Sequence, residues 1–216
     1  MSRVYLLVEG QTEEAFVNEL LVPHYSPLGH YLTPIIVRTS PGHRGGVVSY
    51  GKVRWQIEQL CKQHREAHVT TFFDLYGLPE DFPGKASPAY PANRSGRDKA
   101  SFLEAELAKD IGRPNFIPNL LVHEFEALLF VDIAAFEQWT DEDRALDPLR
   151  AIRKTTSPED INDSPQTAPS KRILAAMSEY QKTFHGPLIA CDIGMDAIRR
   201  DCPHFAAWLA KIEALK

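Results

Sequence analysis

The sequence predicts an α/β domain built on a mostly parallel sheet of four or five strands, flanked by helices. Short runs rich in apolar, β-branched and aromatic residues recur along the first 122 positions. The first, Val4-Tyr5-Leu6-Leu7-Val8, shows no in-and-out alternation, which marks a strand buried on both faces. Stretches of helical periodicity separate these runs, and such strand–helix alternation argues for a doubly wound sheet.

After the first strand, Glu9-Gly10-Gln11-Thr12 punctuates the chain. A helix is expected from about Glu13, with Thr12 as N-cap, an apolar face of Ala15, Phe16, Leu20 and Leu21, and Pro23 as its stop. Pro34 to Val37 forms the second strand, and Ser40-Pro41-Gly42-His43-Arg44-Gly45-Gly46 forms a loop. Val48 to Arg65 repeats at helical spacing, with Val53, Ile57, Leu60 and Cys61 on one side. His68 to Phe73 reads as the third strand and runs into Asp74. Residues 77 to 96, rich in Gly, Pro, Ser and Asn, form a long loop. Lys99 to Ile111 is helical. Asn115 to Val122 is the fourth strand, with Pro118 marking an edge or bulge.

Beyond Asp132 the strand signals stop. Polar turns follow at Ser157-Pro158-Glu159-Asp160 and Asn162-Asp163-Ser164-Pro165. A helix is expected from Ser170 to Phe184, and another near the end carries Phe205, Trp208, Leu209 and Ile212. The chain therefore divides into an α/β core over 1–132 and a helical extension over 133–216, packed together as one unit.

The 216 residues suffice for a core without staples, and the net charge of −5 gives no overall basic signature. A nucleic-acid partner would need a local basic patch or metal ions to offset the carboxylates. The three cysteines, Cys61, Cys191 and Cys202, have no zinc or redox spacing and read as reduced thiols of a cytoplasmic protein. The run before Glu9 is too short for a signal peptide, and no window reaches the length of a membrane span.

In an open parallel sheet, ligands bind beyond the C-terminal ends of the strands. Here those ends deliver acids: Glu9 after the first strand, Asp74 after the third, and His123-Glu124-Phe125-Glu126 after the fourth. Glu13 follows Glu9 by four residues. Carboxylates gathered this way repel one another unless protons or hard cations intervene, and an all-oxygen set suits magnesium, manganese or calcium. Glu13 also suits the dipole of its helix, Asp74 a turn, and one of Glu124 and Glu126 a helix cap. Ser170-Lys171-Arg172 opens a helix after Pro169, where free N–H groups and two cations could meet a phosphate. Arg94-Ser95-Gly96-Arg97-Asp98-Lys99 reads as a solvated basic loop. His123, beside Glu124 at a strand end, reads as a structural histidine, with a general base as the alternative.

Val8-Glu9-Gly10-Gln11-Thr12-Glu13 resembles the first motif of Toprim domains, especially those of the overcoming-lysogenization-defect nucleases. The whole chain resembles the bacterial domain-of-unknown-function family numbered 4276, through five segments. These are Glu9-Gly10, Asp74-Leu75-Tyr76-Gly77-Leu78-Pro79, His123-Glu124-Phe125-Glu126-Ala127-Leu128, Thr167-Ala168-Pro169-Ser170-Lys171-Arg172 and Cys202-Pro203-His204-Phe205. The Toprim resemblance implies a Rossmann-like sheet and a Mg2+- or Mn2+-dependent phosphodiesterase acting on DNA or RNA. Glu9, Glu13, Asp74, Glu124 and Glu126 are then the metal-site candidates. Glu9 and Asp74, with Lys171 and Arg172 on the phosphate, are the catalytic candidates. Toprim domains usually end the third strand with Asp-x-Asp, whereas this chain has Asp74-Leu75-Tyr76, and a phenol is a poor ligand for magnesium. Neighbouring ABC-type ATPases in similar systems imply such a partner and a role in phage defence. The alternative is a non-catalytic partner of that ATPase with a degenerate metal site. A homodimer is a further expectation. A small-molecule phosphatase with an Asp74 nucleophile would want an acid where Tyr76 stands.

Overall fold

The computed structural model describes residues 1–40, 43–44, 49–161 and 166–216. Gly45-Gly46 and the turn Asn162-Asp163-Ser164-Pro165 lie outside the described residues, as do Pro41, Gly42 and Val48. The strands are β1 (Ser2–Val8), β2 (His30–Ile36), the short β3 (Arg38–Ser40) and β4 (His43–Arg44), β5 (His68–Asp74), β6 (Phe116–Ile117) and β7 (Leu120–Leu121). Five of them form one parallel sheet in the order β2-β1-β5-β6, with β7 also on β5. β3 and β4 pair antiparallel as a separate ribbon, where the sequence suggested only a loop.

β6 and β7 are two halves of the expected fourth strand. Pro118 has no N–H for the ladder, so the strand breaks there. The break is satisfied by side chains. Thr71 Oγ1 donates to Asn119 O at 2.7 Å, Asn119 N donates back to Thr71 Oγ1, and Asn119 Nδ2 reaches Thr71 O at 3.1 Å. β2 starts at His30, four residues earlier than expected, because Ser2 to Val8 pair with His30 to Ile36 along their full length.

Strand residues alternate between two cores. Leu6, Val8, Phe72 and Leu121 face one side, and Leu7, Val69, Phe73, Leu120 and Val122 the other. The second side is covered by α3 (Tyr50–Gln63) and α4 (Gly96–Ile111), with Leu75, Leu78 and Phe82 of the long loop tucked beneath them. The first side is covered by α1 (Gln11–Phe16) and α2 (Val22–Tyr25), and by five later helices: α5 (Asp147–Thr155), α6 (Pro169–Ala176), α7 (Lys182–Ile193), α8 (Met195–Asp201) and α9 (Pro203–Glu213). Phe16, Phe72, Phe125, Phe205 and Trp208 form one aromatic cluster there. Trp208 Nε1 donates to Thr70 Oγ1 at 3.0 Å, so the sheet's buried hydroxyl is satisfied from the last helix. Truncating one of these rings to alanine costs on the order of 3–5 kcal/mol.

Three helix expectations need correction. α1 begins at Gln11 with Gly10, not Thr12, as N-cap. The chain also stays helical past Pro23, because a π turn over Val17–Leu21 precedes it and Val22 N bonds to Val17 O. That wider register removes the demand on proline's absent N–H. Finally, the stretch expected as one helix from Ser170 to Phe184 is two, α6 and α7, separated by residues 177–181. Tertiary packing sets that break, since Met177 and Tyr180 in it are both buried.

Candidate functional site

In the order β2-β1-β5, the chain winds one way from β1 and the other way from β2, so the switch point lies between β1 and β5. Glu9 and Asp74 stand at its two sides. Asp74 N donates to Glu9 Oε1 at 2.7 Å, which ties the two strand ends together. Asp74 Oδ1 in turn accepts from Phe125 N at 2.9 Å. Glu13 Oε2 accepts from Gly10 N at 2.9 Å and fixes the turn after β1, a capping bond where the sequence suggested a complement to the helix dipole. Glu9, Gly10, Thr12, Glu13, Asp74 and Lys182 line one open cleft.

Lys182, in the first turn of α7, brings the positive charge. Its Nζ lies 3.1 Å from Glu126 Oε2 and 4.0 Å from Asp74 Oδ2. Glu126 has no exposed surface, and neither of its oxygens has a hydrogen-bond partner among the described residues. Lys182 is thus the charge partner of a carboxylate that has no exposed surface. The hydroxyl of Tyr180, two residues before the start of α7, is also buried. α7 can pack this closely on Phe125 and Tyr180 because Gly186 has no side chain, for an added β-carbon would lie 3.0 Å from the Tyr180 hydroxyl and 3.1 Å from the Phe125 ring.

The electrostatics follow from burial. Desolvation pushes the Glu9 carboxyl up to about 7, against the opposing Asp74 N–H, and Glu13 adds to the rise. Glu126 is pushed up to about 7, mainly by burial, with Lys182 opposing. Asp74 is raised well above the usual carboxylate range by burial and then by Glu9. For Lys182, burial pulls the ammonium down, but Glu126, Asp74 and Glu13 outweigh it and the net shift is upward. Burial is the first cause for each of these acids, so each favours a proton or an added cation over a bare charge.

His123 aims the segment that completes the site. Its φ of 66° is left-handed, a conformation that costs a non-glycine residue on the order of 1–3 kcal/mol. Its carbonyl accepts from Tyr76 N at 2.9 Å. The turn sends three successive residues to three places: Glu124 to α6, the Phe125 N–H to Asp74, and Glu126 to Lys182. Gly96 at the start of α4 makes room, since a β-carbon there would lie 2.8 Å from the His123 ring.

Glu9, Glu13, Asp74 and Glu126 are therefore brought together. Glu124 is not. Its Oε1 accepts from Ser170 N at 2.5 Å and its Oε2 from Ser170 Oγ at 3.1 Å, so it caps α6. That carboxylate holds the Ser170 N–H that could have met a phosphate. Lys171 is exposed, and Arg172 Nε bonds to Thr167 O at 2.6 Å and lines a separate groove with Thr155 and Asp160. Neither lines the acid cleft. Tyr76 is not among the cleft-lining residues either. Lys182 was missed from the sequence. A signal existed, because it is the sole Lys or Arg of α7 and sits in a first turn, where a cation opposes the helix dipole.

The donor set is all oxygen, which fits a hard divalent cation. Among the described residues no three acids or histidines converge as a ready cage. Magnesium, however, is often held by one or two carboxylates, with water and substrate oxygens completing its shell. Glu9 and Asp74 meet that lesser requirement.

The sheet and its cleft define an open α/β protein with an acid-and-lysine site at the switch point. The chain belongs to the family DUF4276, a domain of unknown function, which it matches over residues 8–213. No curated protein and no solved structure matches it. Among the described residues no helix is long and apolar enough to cross a membrane.

Proposed function

We propose that this protein is a divalent-metal-dependent phosphodiesterase acting on nucleic acid, with Glu9 and Asp74 as metal ligands. The observation that carries this reading is the pairing of the two acids across the switch point. Each has one oxygen held by a backbone N–H, and the second oxygen of Asp74 lies 4.0 Å from Lys182 Nζ. Mg2+ or Mn2+, when bound, would supply Lewis acidity toward a phosphoryl oxygen. Glu13 would hold the β1–α1 turn and so the placement of Glu9. Lys182, steadied by Glu126, would contact a non-bridging phosphate oxygen and offset the charge that develops there. It takes the place in the mechanism first assigned to Lys171 and Arg172. The Toprim resemblance of Val8 to Glu13 supports the same chemistry.

A second reading, a regulatory partner of an ABC-type ATPase, draws support from Tyr76 in place of the second acid of the Toprim motif. One assay separates the two. Single-stranded DNA, duplex DNA and structured RNA are incubated with manganese, with and without an ATPase encoded alongside. The phosphodiesterase reading expects cleavage that falls about a hundredfold or more in Glu9→Gln, Asp74→Asn and Lys182→Ala, and that survives the Lys171→Ala/Arg172→Ala double variant. Cleavage undiminished by Glu9→Gln refutes it, and no cleavage of any substrate in either condition favours the regulatory reading.

A further inference from the structure

The acid cleft sits at the C-terminal edge of the sheet, and the N-terminal edge holds the opposite charge. A second open groove lies there. It is lined by Arg3 and Tyr5 of β1, by Gln63 and His64 at the end of α3, and by Arg65 and Glu66 of the turn into β5. Arg3 and Glu9 stand near the two ends of β1, so about 20 Å of strand separates the two sites.

The arginines of this groove have nothing to bind within the chain. Arg3 and Arg65 are exposed, and neither makes an ion pair or a side-chain hydrogen bond among the described residues. Arg54, Arg150, Arg153 and Arg199, by contrast, each meet a carboxylate. Among the described residues that line the groove, Glu66 is the one acid, set against two guanidiniums in a chain of net charge −5. Arg113, in the turn before β6, brings a third guanidinium to this edge. It lies near enough to Cys61 of α3 to oppose the upward pull of burial on that thiol.

The backbone around the groove is pinned. The turn that carries Arg65 and Glu66 is closed by Ala67 N, which donates to His64 O at 3.1 Å. Asn115 Nδ2 donates to Cys61 O and His64 O, both at 3.3 Å, and to Ala67 O at 2.9 Å. Those bonds cover carbonyls at the C-terminus of α3 that would otherwise repel an anion. The Tyr5 ring packs on the His64 ring, with centroids 4.5 Å apart, and so joins the strand side of the groove to the helix side.

We propose that this groove binds a phosphate group, with Arg3 and Arg65 as its two cations. A guanidinium presents paired N–H donors that match phosphate oxygens, and it needs no metal to do so. The groove therefore takes phosphate in the absence of divalent cations, unlike a cleft lined by acids. The backbone of a nucleic-acid strand and free inorganic phosphate present the same oxygens, and they are the two sources to be told apart. The site does not depend on the phosphodiesterase reading, because the groove and the cleft share no lining residue.

The test is binding in EDTA. A fluorescein-labelled oligothymidylate is followed by anisotropy, and inorganic phosphate by calorimetry. Arg3→Gln and Arg65→Gln should each weaken the bound probe about tenfold. For the oligonucleotide, the slope of log affinity against log salt should shrink by about one per arginine removed. Glu66→Gln should tighten binding about threefold, a gain that loss of folding does not produce. Melting curves of the arginine variants should match the parent, since both side chains are exposed. Binding of the oligonucleotide alone assigns the site to a strand, and binding of phosphate as tight as that of the oligonucleotide assigns it to the free ion. No binding of either probe at low salt, or binding that an Arg3→Gln/Arg65→Gln double variant retains in full, overturns the inference. Because binding is read without metal, its outcome is separate from that of the cleavage assay.

Discussion

Two acid-rich regions lie on either side of the His123 turn, and they treat their carboxylates in opposite ways. Inside the fold, Glu104, Glu124 and Glu159 are buried, and each carries backbone hydrogen bonds. Glu159 accepts from both His204 N and Phe205 N at 3.0 Å and so closes the N-terminus of α9. Glu124 does the same for α6. Glu104 Oε1 takes Leu120 N and His204 Nε2, both at 2.8 Å. At the switch point, Glu126 is fully buried with Lys182 Nζ 3.1 Å from its Oε2, and in the cleft Glu9 and Asp74 have one oxygen each held by backbone. The inner acids complete helices. The acids at the switch point are held in place around a single lysine, which is how a site for an external cation or phosphate differs from a structural network.

The comparison breaks most readily at Glu159. Glu159→Ala removes two charge-assisted bonds and leaves two buried N–H groups of α9 without partners. A loss of about 3 kcal/mol is expected, measured as a fall in urea midpoint. A loss under about 1 kcal/mol would mean that the inner acids are not structural.

The cleft should behave in the opposite sense. Glu126 has its carboxyl pushed up from 4.5 to about 7 in the folded chain. Between those values the folded state keeps a proton that the unfolded state has released. The stabilising effect of that proton is fully present below about 4.5 and is lost as pH rises through about 7. Glu126→Gln, which cannot ionise, should therefore gain on the parent as pH rises, by up to roughly 2–3 kcal/mol at alkaline pH. Melts of both proteins on either side of the window check this. A gain that is the same at acidic and alkaline pH would show that Glu126 titrates normally.

Much of the fold was legible because local and global signals agree. Val4 to Val8 and His68 to Phe73 are apolar and β-rich, and they pair side by side in the sheet. The acids at strand ends were legible for the same reason, since a buried parallel strand can present a charge only where it emerges. The helix break at 177–181 was not, because no glycine or proline marks it and packing of Met177 and Tyr180 decides it. Reading one long helix there hid the first-turn placement of Lys182. Glu124 and Glu126 could not be separated from sequence either. Only the left-handed turn at His123 sends one to a helix cap and the other to Lys182. The basic pair Lys171-Arg172 was attractive by composition, but the N-terminus it opens is already closed by Glu124.

The central claim, that Glu9 and Asp74 together hold a divalent cation, is tested most directly by calorimetric titration of manganese into the parent, Glu9→Gln and Asp74→Asn. The account predicts saturable binding to the parent at millimolar metal or below, abolished in both variants while their melting curves remain cooperative. Binding that persists unchanged in Glu9→Gln and Asp74→Asn, or no binding to the parent at millimolar manganese, would contradict it.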